Sequence, residues 1–243
     1  MNSNSNPRTG LFVEELAHLR LLHLADSALP IGSLAHSFGL ETLVSSDILR
    51  VGELPNFLQG YLQEAGLLEA VVLRDAFHLV GVESQGIFAT RWIALNDLLS
   101  ALKPARESRA ASATLGRNFL QAVMGVADQS VPRQAWESSL EAKSLIHQSA
   151  AFGLVSAVLE FDEDHAVLAF LHQMTANLVS ACQRLMPLGQ NEALRILWSL
   201  KPVMADVAAR SAGGSLETGS CTMPLLDWGA MEHPGLSTRL FVS

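Results

Sequence analysis

The sequence predicts an all-α protein, a single-domain helical bundle of about eight to ten helices with a flexible C-terminal tail. Apolar residues recur at steps of three and four along most of the chain, whereas the strict alternation of a half-buried strand is scarce. Proline, glycine and serine interrupt this periodicity at helix-length intervals, and no stretch has the composition of an interdomain linker. Residues 11–211 are therefore predicted to form one all-α domain.

The first half of the chain predicts five helices in order. Two helical patterns are joined through residues 28–32, and the second of these helices is expected to open at Ser33. Residues 53–82 place apolar side chains on one face of a long helix. Residues 88–102 form the next helix, which ends before Pro104 because proline cannot continue the hydrogen-bond ladder. A further helix covers residues 105–127.

The second half continues with a loop at residues 128–132 and helices at residues 133–143 and 147–159. The acidic run at residues 162–164 is typical of a helix start, because carboxylates accept hydrogen bonds from the free N–H groups there. The helix that follows ends at Pro187. Another begins near Gln190, and Pro202 is expected to kink it.

The two ends of the chain lack this regularity. Residues 1–10 are polar and are predicted to be disordered. Residues 212–243 form the C-terminal tail, with glycine-rich breaks, several large apolar residues and one short helix at residues 224–232. Two interpretations of this tail are open: it packs on its own body, or it becomes ordered on a partner.

Composition excludes several classes of function. Charged residues are only 16% of the chain and hydrophobic residues 49%, so a monomer would have little polar surface, and burial against other subunits is expected. The formal net charge of −8 disfavours nucleic acid as a ligand. Two cysteines, Cys182 and Cys221, make no disulfide framework or zinc signature. With no apolar run of membrane length or signal-peptide core, a soluble, cytoplasmic protein is expected.

A search for catalytic chemistry finds no phosphate-binding glycine loop and no nucleophile elbow, so no catalytic residue and no directly bound cofactor is predicted. Among the eight histidines, His165 and His172 lie two helical turns apart, about 10 Å by helix rise, which is too far for one ion to bridge directly. His36 differs from the other histidines because it lies five residues before Glu41, after the turn at Pro30 and Gly32. A structural role at a helix start is nevertheless favoured over metal ligation. No metal ligand is therefore assigned.

Three segments resemble the UreF family of urease accessory proteins. They are the PIGSLAHSFGLE stretch at residues 30–41, RLMPLGQ at 184–190 and STRLFVS at 237–243, which occur in order from near the start to the last residues. The positions of the first segment that carry the signature are Pro30, Gly32, His36, Ser37, Gly39 and Glu41. In departure from the family, Leu34 stands where an aromatic residue is usual and Val242 where arginine is common.

The resemblance implies an all-α, dimeric protein that is not itself an enzyme. It implies that the chain binds the accessory protein UreD (also called UreH), recruits the GTPase UreG and docks on apo-urease for GTP-dependent nickel delivery. Nickel and GTP are then handled by the partner complex, without nucleic acid or a membrane. The implied partner-binding residues are Arg106, Glu107, Gly189, Gln190, Arg239, Leu240, Phe241 and Ser243.

Three other functions stay open on the sequence. The chain could regulate the GTPase by inserting an arginine, either Arg106 or Arg239. It could be a metal-binding enzyme built on His36 and Glu41, or a generic helical interaction protein. The residues alone do not choose between these functions and the scaffold that the resemblance implies.

Overall fold

The computed structural model describes residues 7–81, 85–127, 130–214 and 223–243. All regular structure in these ranges is helical, with no β-strand. The α-helices are α1 (Pro7–Leu24), α2 (Leu40–Ser45), α3 (Leu54–Tyr61), α4 (Leu67–Phe77), α5 (Gln85–Ala101), α6 (Arg106–Met124), α7 (Ser130–Ala142), α8 (Gln148–Val158), α9 (Glu163–Leu185), α10 (Gln190–Ser199), α11 (Lys201–Ser211) and α12 (Pro224–Glu232). The predicted all-α class is confirmed.

The core is centred on α8, which packs between α4 and α6 and also contacts α9. Gly153 allows the closest of these contacts, since a Cβ there would lie 2.0 Å from the backbone oxygen of Leu73. Phe152 stacks on Phe119 of α6 and tilts against Phe170 of α9, with ring centroids 5.3 and 5.4 Å apart. Such ring pairs add about 0.5–1.5 kcal/mol each to the free energy of area burial.

Two predicted helices are interrupted in the structure. The pattern at residues 53–82 forms α3 and α4, joined by a π-helical turn at Leu62–Gly66, and α4 ends at Phe77 before a turn in which Gly81 has φ +97°. The predicted kink near Pro202 is a break at Leu200 between α10 and α11, with the proline in the first turn of α11. Proline fits there because that N–H would have no helical partner.

Two predicted boundaries are wrong. Ser33–Ala35 is a 3₁₀ turn, and α2 begins only at Leu40, because His36 is extended and Gly39 has φ +93°. The predicted loop at residues 128–132 is shorter than expected, since α7 begins at Ser130 and holds Pro132 in its first turn. Residues 128 and 129 lie outside the described ranges.

Parts of both chain ends form helix, and residues 215–222 of the predicted tail lie outside the described ranges. Residues 1–6 of the segment predicted to be disordered lie outside the described residues, but α1 begins at Pro7 and includes residues 7–10. The short helix predicted at residues 224–232 is confirmed as α12. Beyond it, Phe241 is buried in the core cluster together with Leu226. Within the described ranges, no helix combines the length and apolar character needed to cross a membrane.

Candidate functional site at the junction of the chain ends

The segment between α1 and α2 is irregular and packs against α6 and α9. Ile31 is buried, and its backbone oxygen accepts a hydrogen bond from the Asn118 amide of α6 at 2.9 Å. Gly32 has φ +92°, and Phe38 has φ 52°. Positive φ values reverse the chain direction where a regular helix would continue. The turn therefore presents backbone groups of residues 34–37 to the C-terminal segment.

Glu41, in the first turn of α2, is the main anchor of that segment. Its side chain is buried, and its two carboxylate oxygens accept hydrogen bonds from the Leu240 N–H at 2.6 Å and the Phe241 N–H at 3.1 Å. These backbone N–H groups belong to no helix, so without Glu41 they would be left unsatisfied at the edge of the core. A single carboxylate thereby fixes two consecutive residues of the tail.

His233 joins three parts of the chain. Its Nε2 lies 2.9 Å from a Glu41 oxygen and its Nδ1 lies 2.7 Å from an oxygen of Glu107 at the start of α6. The His233 side chain has 0% exposure. The buried ring therefore contacts a carboxylate of α2 on one side and a carboxylate of α6 on the other, and it holds α2, α6 and the tail together.

The last residues run beside the N-terminal turn. The Ser37 N–H donates to the Ser243 backbone oxygen at 2.5 Å, and the Val242 N–H donates to the Ala35 oxygen at 2.9 Å. The His36 Nδ1 lies 2.7 Å from the Ser243 hydroxyl. Burial lowers the pKa of His36, which favours its neutral ring. The signature histidine therefore contacts the C-terminal residue in this structure.

Arg184, at the end of α9, completes the attachment from the other side. Its guanidinium donates to the Leu34 oxygen at 2.7 Å and to the Leu240 oxygen at 3.5 Å. The same group lies over the Phe241 ring, 4.1 Å from its centroid, within the range of a cation–π interaction. Arg184 thus bridges the N-terminal turn and the tail.

Two glycines bring α12 against the N-terminal end of α2. A Cβ on Gly39 would lie 2.6 Å from the Leu226 oxygen and 2.8 Å from the Ala230 nitrogen. A Cβ on Gly229 would in turn lie 2.6 Å from the Gly39 oxygen. Contacts this short are incompatible with a side chain at either position, so both glycines are needed for the two backbones to touch.

The structure brings together most of the residues that the sequence singled out. Arg239 lies 3.8 Å from Glu107, and both belong to the cluster formed by His36, Ser37, Glu41, Leu240, Phe241 and Ser243. Gly189 and Gln190 are the N-cap and first residue of α10, and no hydrogen bond or ion pair of the described residues links them to the cluster. Sequence reasoning missed His233 and Gly229, which no periodicity or spacing marks as tail contacts, and it gave no role to Arg184, although Arg184 opens the RLMPLGQ segment.

The outward face of the anchored segment is apolar. Helix α12 buries Leu226, Gly229 and Ala230 on one side, and its opposite side exposes large side chains. Together with the neighbouring turn and chain end these form what we call the tail surface: Leu34, Leu225, Trp228, Met231, Leu240 and Val242, each between 40% and 68% exposed. Exposed apolar groups in such number are typical of an interaction site.

A second polar cluster lies inside the body. Glu69 of α4 is buried and accepts hydrogen bonds from Lys103 and Ser149. His147 has 0% exposure and lies between the Ser100 and Ser112 hydroxyls at 2.8 and 3.0 Å. Burial, together with the smaller effect of the positive charge of Lys103, lowers the pKa of His147 to about 4. Each polar group has a partner within the network, which ties α4, α5, α6 and α8 together.

Neither cluster is arranged as a metal centre in the described residues. In the parts of the chain that the structure describes, no group of three or more His, Cys, Asp and Glu side chains is arranged to hold a metal ion. The fold and the site together define a class of helical protein in which the N-terminal turn fixes the C-terminal segment. The apolar face of that segment points outward.

Comparison with known proteins identifies the family. The UreF family model matches residues 49–201. The urease accessory protein UreF of Rhodopseudomonas palustris (strain BisA53) is 33% identical over 233 residues, which cover 92% of each chain. The protein of the same description from Bradyrhizobium sp. (strain BTAi1 / ATCC BAA-1182) is 30% identical over 255 residues and all of both chains, and that from Nostoc sp. (strain PCC 7120 / SAG 25.82 / UTEX 2576) is 30% identical over 93% of this chain and 95% of its own. The chain belongs to the UreF family of urease accessory proteins.

Proposed function

We propose that the chain is a scaffold for nickel insertion into urease, acting through surface contacts in the cytoplasm and without catalysis of its own. In this proposal the tail surface binds UreD (UreH), the pair recruits the GTPase UreG, and the assembly docks on apo-urease for GTP-dependent nickel delivery. The observation that carries the proposal is an ordered apolar face whose inner side is fixed by Glu41, His233 and Arg184.

Anchoring of the tail supports this role on physical grounds. A segment that is disordered before binding must lose conformational entropy on the partner, which lowers its affinity. Here the hydrogen bonds of Glu41 and the packing of Phe241 have already fixed the backbone. Trp228 is exposed on this face, and tryptophan is among the residue types that most often dominate binding energy at interfaces.

The remaining partner-binding residues belong to the same proposal. Arg106 is exposed beside Glu107 at the start of α6, on the side of the body where Arg239 lies. Gly189 and Gln190 are exposed at the start of α10. Because no hydrogen bond or ion pair of the described residues joins these two to the cluster, we assign them to contacts with a different member of the assembly.

We also propose that two copies associate as a homodimer. The low share of charged residues, 16%, leaves apolar side chains exposed on helices other than α12, including Leu194 and Trp198 on α10. Light scattering of the purified chain tests this proposal. A dimer gives twice the 26.2 kDa of one chain, whereas a mass of one chain at micromolar concentration contradicts it.

Nickel enters this proposal as cargo of the assembled complex, and the chain needs no cofactor of its own. His36 and Glu41, the residues on which a metal-binding enzyme would rest, are engaged by Ser243 and by the tail backbone. Their hydrogen bonds support a structural role over a catalytic one. Stoichiometric nickel in the isolated chain, with hydrolytic turnover, would contradict the scaffold.

The test of the main proposal is binding of purified UreD to surface variants. Trp228→Glu should weaken binding by about a hundredfold or more, because a charge replaces a central apolar contact. Leu140→Glu is the matched control, since Leu140 is also a large exposed apolar residue but lies on α7, and it should leave UreD affinity within about threefold. Equal affinities for wild type and Trp228→Glu, or equal losses in both variants, would contradict the assignment of the tail surface.

A second candidate is regulation of GTP hydrolysis by an inserted arginine. Arg239 is 45% exposed at the rim of the tail surface, and Arg106 is exposed at the adjacent end of α6. Single-turnover GTP hydrolysis by UreG should then rise with wild-type chain and lose that increase with Arg239→Ala or Arg106→Ala, while UreD binding persists. An unchanged rate of GTP hydrolysis in the presence of the wild-type chain would contradict this second candidate and leave the scaffold as the proposed function.

A further inference from the structure

Three ionisable side chains meet where the C-terminal segment, residues 223–243, is attached to the body. Nε2 of His233 lies 2.9 Å from Oε2 of Glu41 on α2, and its Nδ1 lies 2.7 Å from Oε2 of Glu107 on α6. The side chain of His233 is 0% exposed, that of Glu41 6% and that of Glu107 20%. We call these three side chains the junction cluster.

The geometry of the junction cluster sets the number of protons that it needs. An ionised carboxylate only accepts hydrogen bonds, and a neutral imidazole ring has one nitrogen that donates and one that accepts. With a neutral ring and two ionised carboxylates, one of the two contacts would join two lone pairs. Both contacts are hydrogen bonds only when the cluster holds one further proton, on the ring or on a carboxylate.

The charges around the ring favour binding of this further proton. Glu41 faces His233 from α2 and Glu107 faces it from α6. Arg239 of the C-terminal segment lies 3.8 Å from Glu107 and brings one positive charge to the same place. With a neutral ring these groups sum to one negative charge, and the further proton brings the sum to zero. An uncompensated charge shielded from water costs more free energy than one at the surface.

We propose that the junction cluster is a proton-dependent switch, in which the docked C-terminal segment requires one proton that the released segment does not require. When the segment is released, water supplies hydrogen bonds to His233, Glu41 and Glu107 whatever their protonation. The docked form then binds more protons than the released form, so the docking equilibrium falls as the pH rises. For one proton the fall is at most about tenfold per pH unit.

This switch acts near neutral pH, because imidazole is the side chain that ordinarily changes its charge between about pH 5 and pH 8. It concerns only the attachment of the segment to its own body. It holds whether or not the tail surface binds UreD, so this inference and the proposed function can fail independently.

Amide hydrogen exchange of the full-length chain between about pH 6 and about pH 9 tests the switch. The Leu240 and Phe241 N–H groups donate to Glu41 and therefore report the docked position. Their protection factors, corrected for the intrinsic pH dependence of exchange, should fall by about tenfold or more as the pH rises. Those of α8 in the core should stay constant. Constant protection of Leu240 and Phe241 over the whole range overturns the proposal.

The other histidine at the junction does not account for such a fall. Burial lowers the pKa of His36, so that its neutral ring is already favoured at the start of this range. Its contact with the Ser243 hydroxyl needs only the one donor that a neutral ring or a hydroxyl supplies.

Glu107→Gln assigns the proton to the junction cluster. The glutamine amide can donate to Nδ1 of a neutral ring while Nε2 donates to Glu41, so both contacts are satisfied without the further proton. This variant should keep its tail protection up to about pH 9. A wild-type dependence on pH in Glu107→Gln overturns the assignment. If Glu107→Gln does not fold, the wild-type profile decides alone.

Asp162→Asn is the matched control for this substitution. Asp162 also has a histidine beside it, with Nδ1 of His165 at 3.6 Å, but both side chains are exposed. Asparagine serves as a helix N-cap as well as aspartate does, so the start of α9 is preserved. Tail protection in Asp162→Asn should therefore follow wild type at every pH, and a loss of pH dependence in this variant would contradict the role of the junction cluster.

Discussion

At the scale of single residues, Glu41 is the side chain on which the position of the tail depends most directly. One carboxylate of α2 accepts two tail N–H groups and faces the buried His233 ring. Few side chains can satisfy three donors from one segment while shielded from water. The order of the tail surface therefore depends on a residue that lies about two hundred positions away in the sequence.

Replacing this carboxylate tests the anchor. Glu41→Gln keeps the side-chain shape but turns one acceptor into an N–H₂ donor, so one tail N–H loses its partner and His233 loses a negative neighbour. We expect the free energy of unfolding to fall by about 2–4 kcal/mol, with faster hydrogen exchange at Leu240 and Phe241. Urea titration measures the first effect. Glu192→Gln is the matched control, because Glu192 is exposed on α10, and its free energy of unfolding should stay within about 0.5 kcal/mol of wild type. Equal protection of the tail from hydrogen exchange in both variants would contradict the role of Glu41 as an anchor.

His147 predicts a pH dependence of stability. Its folded-state pKa is lowered from 6.5 to about 4, so the unfolded chain binds the proton more readily than the folded one. The neutral His147 ring therefore contributes about 3 kcal/mol to the free energy of unfolding above about pH 6.5, and this contribution is lost as the pH falls towards 4.

Chemical unfolding at pH 7 and pH 4.5 measures this contribution. His147→Gln should lose less stability on acidification than wild type, because the titrating ring is gone. His18→Gln, at an exposed position of α1, should follow wild type. Identical pH profiles for wild type and His147→Gln would show that the buried ring does not carry the effect.

At the scale of elements, the contact between α2 and α12 decides where the tail lies. Two glycine backbones meet there, and Gly39 additionally has φ +93°. Gly39→Ala and Gly229→Ala should each lower the free energy of unfolding by about 2–4 kcal/mol, through overpacking and, at Gly39, backbone strain. Thermal unfolding followed by circular dichroism measures the loss.

Gly60 provides the matched control for these substitutions. It lies in α3, and a Cβ added there would have no atom within 4 Å. Gly60→Ala should therefore leave stability unchanged or raise it by up to about 1 kcal/mol, since alanine is the better helix former. A comparable loss in all three variants would show that glycine flexibility, and not the close approach, is what matters.

At the scale of the whole molecule, the C-terminal segment contributes some side chains to the core and others to the exposed surface. Leu226 and Phe241 lie in the core cluster, whereas Trp228 and Met231 on the same segment are exposed. Deleting residues 212–243 should lower the thermal midpoint and abolish UreD binding, but leave most of the helical circular-dichroism signal, because α1–α11 remain. Retained UreD binding would contradict the tail surface, and loss of all helical signal would show that the segment is essential to the core.

Helical periodicity was sufficient to predict most of the secondary structure. Asp162 precedes α9 and accepts a hydrogen bond from the His165 N–H at 2.8 Å, as the acidic run predicted. The bounds of α12 were also predicted, because proline at a first turn and a polar stretch beyond it are local signals. The predicted helix at Ser33 was wrong because tertiary contacts of Ile31 and Ser37 outweigh the local pattern.

The candidate site was only partly predictable. The resemblance to the family marked Glu41, Glu107 and Phe241, and the structure places these in one cluster. It gave no role to His233 or Arg184, because a histidine near a chain end and an arginine at a helix end are ordinarily solvated. Their partners are backbone and carboxylate groups from distant parts of the sequence, and such pairings leave no local pattern.

The sequence by itself determined that this chain is a helical bundle, since helix periodicity and capping act over a few residues, and three short segments marked its resemblance to the UreF family. Only the tertiary structure decided that the two ends of the chain meet, which face of α12 is buried and which polar groups hold it there. The physical reason is range: helix formation depends on neighbours three and four residues apart, whereas the bonds between Glu41 and the tail exist only once the whole body has folded.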